Sequence, residues 1–225
     1  MNNPNEWSNG DTTMIKVKVM PISEKYTSVL DYIKHESLVP SFLQQHLGYQ
    51  AISEFQKICQ EGVKTIPENA PIEEKYEIAF SNWIWMGKSA FTFIRQRIGE
   101  DGMKQFIRAD VETLKRENGS PAMFLLSLIR VISPRLAFTM TAKEMLYKLQ
   151  WLSIYTISQP SRDKFVLNIP HCKLLDFPNS EDLCTIGCQT IYPMWLNEQF
   201  KVKMQSERQG NSCMISLTPL PSRLV

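Results

Sequence analysis

Apolar positions recur at helical spacing through the first two thirds of the chain, and the period then shortens to two. Phe42, Leu43, Leu47, Ile52, Phe55, Ile58 and Cys59 follow Pro40 and Ser41 at close to helical spacing. They predict one helix, with Ser41 as its N-cap and Gly62 and Pro67 marking its end. Cys59 lies on the stripe and reads as a small core residue. A longer helix is predicted over 72–98, ending at Gly99. Pro71 sits near its start, and Glu73, Glu74 and Glu77 load the first turns, where the helix dipole favours acids. Tyr76, Phe80, Trp83, Ile84, Phe91 and Ile94 form a wide apolar band, so this helix should be central and buried. Gly87 in its middle weakens it and reads as a close-packing position. Trp85 and Phe93 point away from that band, toward a pocket or a partner subunit. A third helix over 102–117 carries Phe106, Ile107, Val111 and Leu114 inward and closes at Asn118-Gly119. A fourth over 122–132 stops before Pro134, and short helical pieces extend to Leu149.

From about Tyr147 the pattern is that of strands. Residues 151–157 alternate in part and are rich in aromatic and β-branched side chains. A turn cluster at 159–163 leads to a returning strand over 164–169, which Pro170 breaks. Residues 178–182 form a loop with Ser180 as N-cap. A helix follows over 183–196, bent or ended near Pro193. Residues 200–208 alternate as a half-exposed strand, Gly210-Asn211 makes a hairpin turn, and 213–218 alternate again. The expected fold is α+β: a helical N-terminal two thirds packed on a mainly antiparallel sheet of strand-strand-helix-strand-strand order. A flexible leader is expected over 1–20. One domain follows over 21–225, helical over 21–146 and carrying the sheet and most cysteines over 147–225.

Composition narrows the function classes. Of the 225 residues, 43% are apolar and 21% charged, which suits a folded domain with a sizeable core. The net charge of +2 gives no reason to expect nucleic acid, and the densest basic stretch, 143–148, reads as one solvated helix face. The longest apolar run, 123–129, is too short to span a bilayer. The N-terminus is polar and lacks the apolar core of a signal peptide. A cytoplasmic protein with reduced thiols is therefore expected, with no membrane association. The helical bands are broader than one core requires, which agrees with a homodimer.

Four of the five cysteines fall in the last quarter: Cys172, Cys184, Cys188 and Cys213, with His171 beside the first. Cys184 and Cys188 are four apart and share a helix face. Three readings stay open. The cysteines are inert core residues; or the thiolates, with His171, hold zinc or iron, although no pair has the two-residue spacing of a zinc knuckle; or Cys184, with its pKa lowered at a helix N-terminus, is a nucleophile with His171 as base. Trp83, Tyr192 and Trp195 are candidates to line a pocket for a small apolar or planar ligand, or are ordinary core. No Gly-x-Ser-x-Gly, Walker or Gly-x-Gly-x-x-Gly segment occurs. Glu73-Glu74 and Glu181-Asp182 read as helix-start acids, and His35 and His46 as structural.

One combination of segments goes further. A strand runs into Phe-Val-Leu-Asn-Ile-Pro-His-Cys172; a helix opens as Asp-Leu-Cys184-Thr-Ile-Gly-Cys188; a strand beginning Phe-Lys-Val-Lys-Met reaches Gly210-Asn-Ser-Cys213. This stretch, residues 164–218, resembles the L-2-amino-thiazoline-4-carboxylate hydrolase family. More distantly, it is similar to the vinyl reductase-type ligand-binding domain. The resemblance implies a small-molecule site between the sheet and a covering helix. It implies hydrolysis of a cyclic C–N bond in a thiazoline-type substrate, or, in the second group, sensing of small hydrophobic molecules, with metal held by cysteines in some members. The hydrolase pattern commonly carries an acid shortly after its helix cysteine. This chain has Gly187-Cys188-Gln189 there, and the extra thiol tilts toward metal or redox chemistry.

Overall fold

A computed structural model of the chain describes residues 17–35, 38–117, 121–157 and 163–220. Helices dominate as far as residue 149: α1 (Ile22–His35), α2 (Leu38–Leu47), α3 (Tyr49–Gly62), α4 (Ile72–Glu117), α5 (Pro121–Ile132) and α6 (Pro134–Leu149). Four strands follow, β1 (Thr156–Ile157), β2 (Phe165–Ile169), β3 (Val202–Gln209) and β4 (Ser212–Pro219), with a helix over 183–200 inserted between β2 and β3. The fold is α+β, and every strand pair is antiparallel.

Several local expectations change for identifiable reasons. The predicted single helix from Ser41 is two helices, because Gly48 adopts φ 81°, a conformation that ends α2 and re-aims the chain. The first of the two begins at Leu38, so Ser41 lies inside it and is no cap. α1 was not anticipated. Only Val29 in it is buried, and its remaining apolar side chains are half-covered against α4. Residues 17–20, expected in the leader, are attached: Met20 is buried, and its N–H donates to the Gln150 side-chain oxygen at 3.0 Å. The rest of the expected leader lies outside the described residues.

α4 is the axis of the molecule. Its expected end at Gly99 is a sharp kink (φ 79°, ψ −170°), after which the helix resumes to Glu117. The band of Tyr76, Phe80, Trp83, Ile84, Phe91 and Ile94 is buried, as its width requires. Trp85 and Phe93 pack against α3. Phe93 packs on Phe55 with ring centroids 5.8 Å apart, and the Trp85 indole N–H donates to the Ile58 carbonyl at 3.2 Å. Gly62 makes this possible, since a Cβ there would stand 2.1 Å from the indole ring. At the far end of α1, His35 reaches α4 twice, with Nε2 2.6 Å from Asp110 and Nδ1 2.8 Å from Glu117.

The sheet has strand order β1-β2-β4-β3. Its inner face carries Phe165, Leu167, Ile169, Ile215, Leu217, Val202 and Met204, all buried, while Lys203, Gln205, Glu207 and Met214 face solvent. This is the period of two read from the sequence, with one face packed and one wet. Phe138 of α6 stacks on Phe165 of β2 at 5.5 Å, which seats α6 on the sheet. The expected strand over 151–157 is a strand only at Thr156–Ile157, because Trp151, Leu152 and Tyr155 turn inward to close the core. The turn expected at 159–162 lies outside the described residues.

The helix over 183–200 is longer than anticipated and wound more widely. Leu183–Ile191 and Leu196–Phe200 are π-helical, with one α turn, Tyr192–Trp195, between them. The Tyr192 N–H bonds to the Gly187 carbonyl, and the Thr190 hydroxyl donates to the Thr185 carbonyl, both five residues back. Pro193 is the second residue of the α turn, and the helix passes through it to Phe200. Ser180 is not its cap. That side chain is fully buried and donates to the carbonyls of Leu174 and Phe177. Among the described residues no helix is long and apolar enough to cross a membrane.

Candidate functional site

Between the inner face of the sheet, the helix over 183–200 and helix α6 lies a cavity of about 510 Å³. Each wall follows from a local pattern. Odd-numbered positions of β4 and even-numbered positions of β3 point inward, which brings Cys213, Ile215, Met204 and Arg208 to the floor. The facing helix contributes Cys184, Cys188, Tyr192, Trp195 and Phe200. Its wide turns keep residues four apart on nearly one line, so both thiols look into the same space. α5 and α6 add Met123, Leu126, Met140 and Met145, and Trp151 closes the side toward the core. Cys172 enters from the loop after β2, held by its backbone N–H donating to the Asn211 carbonyl of the β3–β4 turn at 2.7 Å.

Cys172, Cys184, Cys188 and Cys213 therefore line one cavity, although they come from a loop, a helix and a strand. Tyr192 and Trp195 line it too. Trp83 does not. It faces a separate void of about 60 Å³ behind the Tyr32 and Tyr192 rings, and packs on Trp151 with centroids 5.0 Å apart. Gly187 borders the same void. No element packs closely on it, since a Cβ at Gly187 would meet nothing within 4 Å. His171 stands outside the cavity lining. Its side chain is largely exposed, and Nε2 pairs with Asp176 at 2.6 Å, so no histidine base faces Cys184.

Three of the thiols are not activated. Burial pushes the Cys184 thiol up, neighbouring Cys172 adds to this, and the Arg208 guanidinium only partly opposes it. This is opposite to the lowering expected at a helix N-terminus, because desolvation outweighs the dipole here. Burial drives Cys188 far above the ordinary thiol range and raises Cys213 to about 11. At pH 7 these groups are neutral thiols, which are poor nucleophiles and poor metal ligands. Among the described residues no three His, Cys, Asp or Glu side chains are grouped so that they could hold a metal ion. None of the five cysteines is in a disulfide. Iodoacetamide at pH 7 should accordingly alkylate Cys184, Cys188 and Cys213 more slowly than free cysteine. Peptide mapping with time would check this, and one of the three reacting at least ten times faster than free cysteine would restore a nucleophile there.

Tyr32, Arg208 and the methionines are wall residues that were not singled out from the sequence. Arg208 was within reach of the alternation in β3, which places it on the face of Met204. The methionines carry no such signal, because unbranched apolar side chains fill cores and pockets alike. Tyr32 belongs to the unanticipated α1, and burial raises its phenol above the ordinary range. Comparison with protein-family models, with curated proteins and with solved structures found no match to this chain.

Proposed function

We propose that this chain is a small-molecule-binding protein, a non-catalytic ligand-binding or sensing module whose ligand occupies the cavity between the sheet and the helix over 183–200. The observation that carries this is a cavity of about 510 Å³ walled by aromatic rings, methionines and thiols. That volume and lining are typical of pockets for small organic ligands. π-helical turns, such as those that carry Cys184 and Cys188, occur often at functional sites. Hydrolysis of a thiazoline-type ring is the weaker reading. It needs an activated nucleophile or a metal-bound water, and neither is supported where Cys184 is protonated and His171 is engaged by Asp176. Five cysteines outside any disulfide suit a reducing compartment, and a cytoplasmic location belongs to this proposal.

Titration with the neutral apolar fluorophore 1-N-phenylnaphthylamine tests the reading. The wild-type chain should enhance its emission saturably. Cys188→Phe, which fills the cavity from the helix side, should weaken binding at least tenfold while the far-ultraviolet circular dichroism stays unchanged. Unchanged affinity in a folded Cys188→Phe variant would place the probe elsewhere and remove the cavity as the binding site.

A further inference from the structure

Four ionisable side chains other than thiols and phenols line the cavity: Glu117, Glu144, Lys148 and Arg208. Three have charge partners. Glu117 is 2.8 Å from the His35 ring, and Glu144 and Lys148 pair at 3.6 Å. Arg208 forms no ion pair among the described residues. Its Nε donates to the Gly210 carbonyl at 2.9 Å, and its guanidinium lies near the Cys184 and Cys213 thiols. Arg208, half in the lining and half in solvent, is thus the one charged group of the four without a charge partner among the described residues.

A second observation lies two residues away on the same strand face. Ser206 sits between Met204 and Arg208, opposite Ile215, and its hydroxyl oxygen is buried without a hydrogen-bond partner among the described residues. Native structures leave few such groups unpaired, and each calls for an explanation. Arginine presents a planar fork of donors that matches a carboxylate. Ser206 thus adds an unpaired hydroxyl to the strand face that carries Arg208, beside a lining rich in aromatic rings and methionines.

We propose that the ligand is an amphipathic monoanion, its apolar body lying among Trp195, Met204 and Ile215 and its carboxylate against Arg208. This rests on the binding reading above and adds the chemical class of ligand. One unpaired cation matches one negative charge, and a dianion would leave charge unmet in a wall that otherwise holds no free donor of positive sign.

The test is displacement of bound 1-N-phenylnaphthylamine from the full chain by decanoate and by decanol at pH 7.5. Decanoate should displace the probe at a concentration at least fivefold lower than decanol, against the order of their hydrophobicity. Arg208→Gln should reduce that preference to less than twofold. The variant alters an exposed side chain near a turn, so it should fold. Equal displacement by the two compounds, or a preference that survives Arg208→Gln, overturns the assignment of a monoanion while leaving the cavity a binding site. Failure of the probe itself to bind the wild-type chain would instead overturn the binding reading and the monoanion with it.

Discussion

Trp151→Ala is expected to lower the free energy of unfolding by about 3–5 kcal/mol, the range for truncating a large buried aromatic. Trp151 is 3% exposed and stands where three elements meet. Its ring lies 4.6 Å from Tyr32 of α1 and 5.0 Å and 6.0 Å from Trp83 and Phe80 of α4. It also separates the 60 Å³ void from the main cavity and lines both, so its removal would merge them rather than let the walls collapse. The hydrogen bond that Tyr76 donates at 2.6 Å goes to the Trp151 backbone carbonyl and survives the substitution, which confines the effect to packing. Urea denaturation at a constant slope would measure the loss. A change below about 1 kcal/mol would show that the ring is not part of a close-packed core. The same variant should bind 1-N-phenylnaphthylamine more weakly, since one wall of the site is gone.

The second large effect depends on pH. Burial alone would pull the His35 imidazolium down, but Asp110 and Glu117 on either side overcome it and hold the pKa at about 9. In the unfolded chain the value is about 6.5. The folded state therefore binds the proton more tightly. The stabilisation is fully present below about pH 6.5 and is lost as pH rises through about 9. Glu117 is half exposed and its interaction is screened, which reduces the contribution to on the order of 2 kcal/mol. His35→Gln should thus be clearly less stable than wild type at pH 6 and close to it at pH 10, as read by thermal melting at both values. A difference of equal size at both pH values would assign the role of His35 to packing, not charge. Tyr32 lies one turn before His35 on α1 and lines the cavity, so loosening this clamp should weaken probe binding as well.

α5 leaves Phe124, Leu125, Leu128, Val131 and Ile132 exposed, with Val131 and Ile132 above 80%. A contiguous apolar ridge of this kind is uncommon on a monomer's free surface. The second aromatic surface of α4, by contrast, is covered within the chain by α3.

How much was legible depended on whether the cause was local. The wide band of α4, the stop at Gly99, the alternation of β3 and β4 and the turn at Gly210-Asn211 were readable, because helical and strand periods and left-handed glycines act within a few residues. α1 escaped because its apolar side chains are only half covered and interrupted by charges, so its helix is settled by docking along α4. The break at Gly48 escaped because a lone glycine in a helical pattern is ambiguous until its φ is known.

The same division holds for the site. Sequence by itself determined that four thiols stand in the C-terminal quarter, that two of them share a helix face, and that β3 and β4 present one side inward, since these follow from spacing along a backbone of fixed period. Tertiary structure alone decided that the four thiols meet in one cavity, that burial keeps three of them protonated, that His171 turns to Asp176 instead of Cys184, and that Arg208 is left without an acid. Those outcomes depend on distance and desolvation between segments remote in the chain, and neither quantity is written in the order of residues.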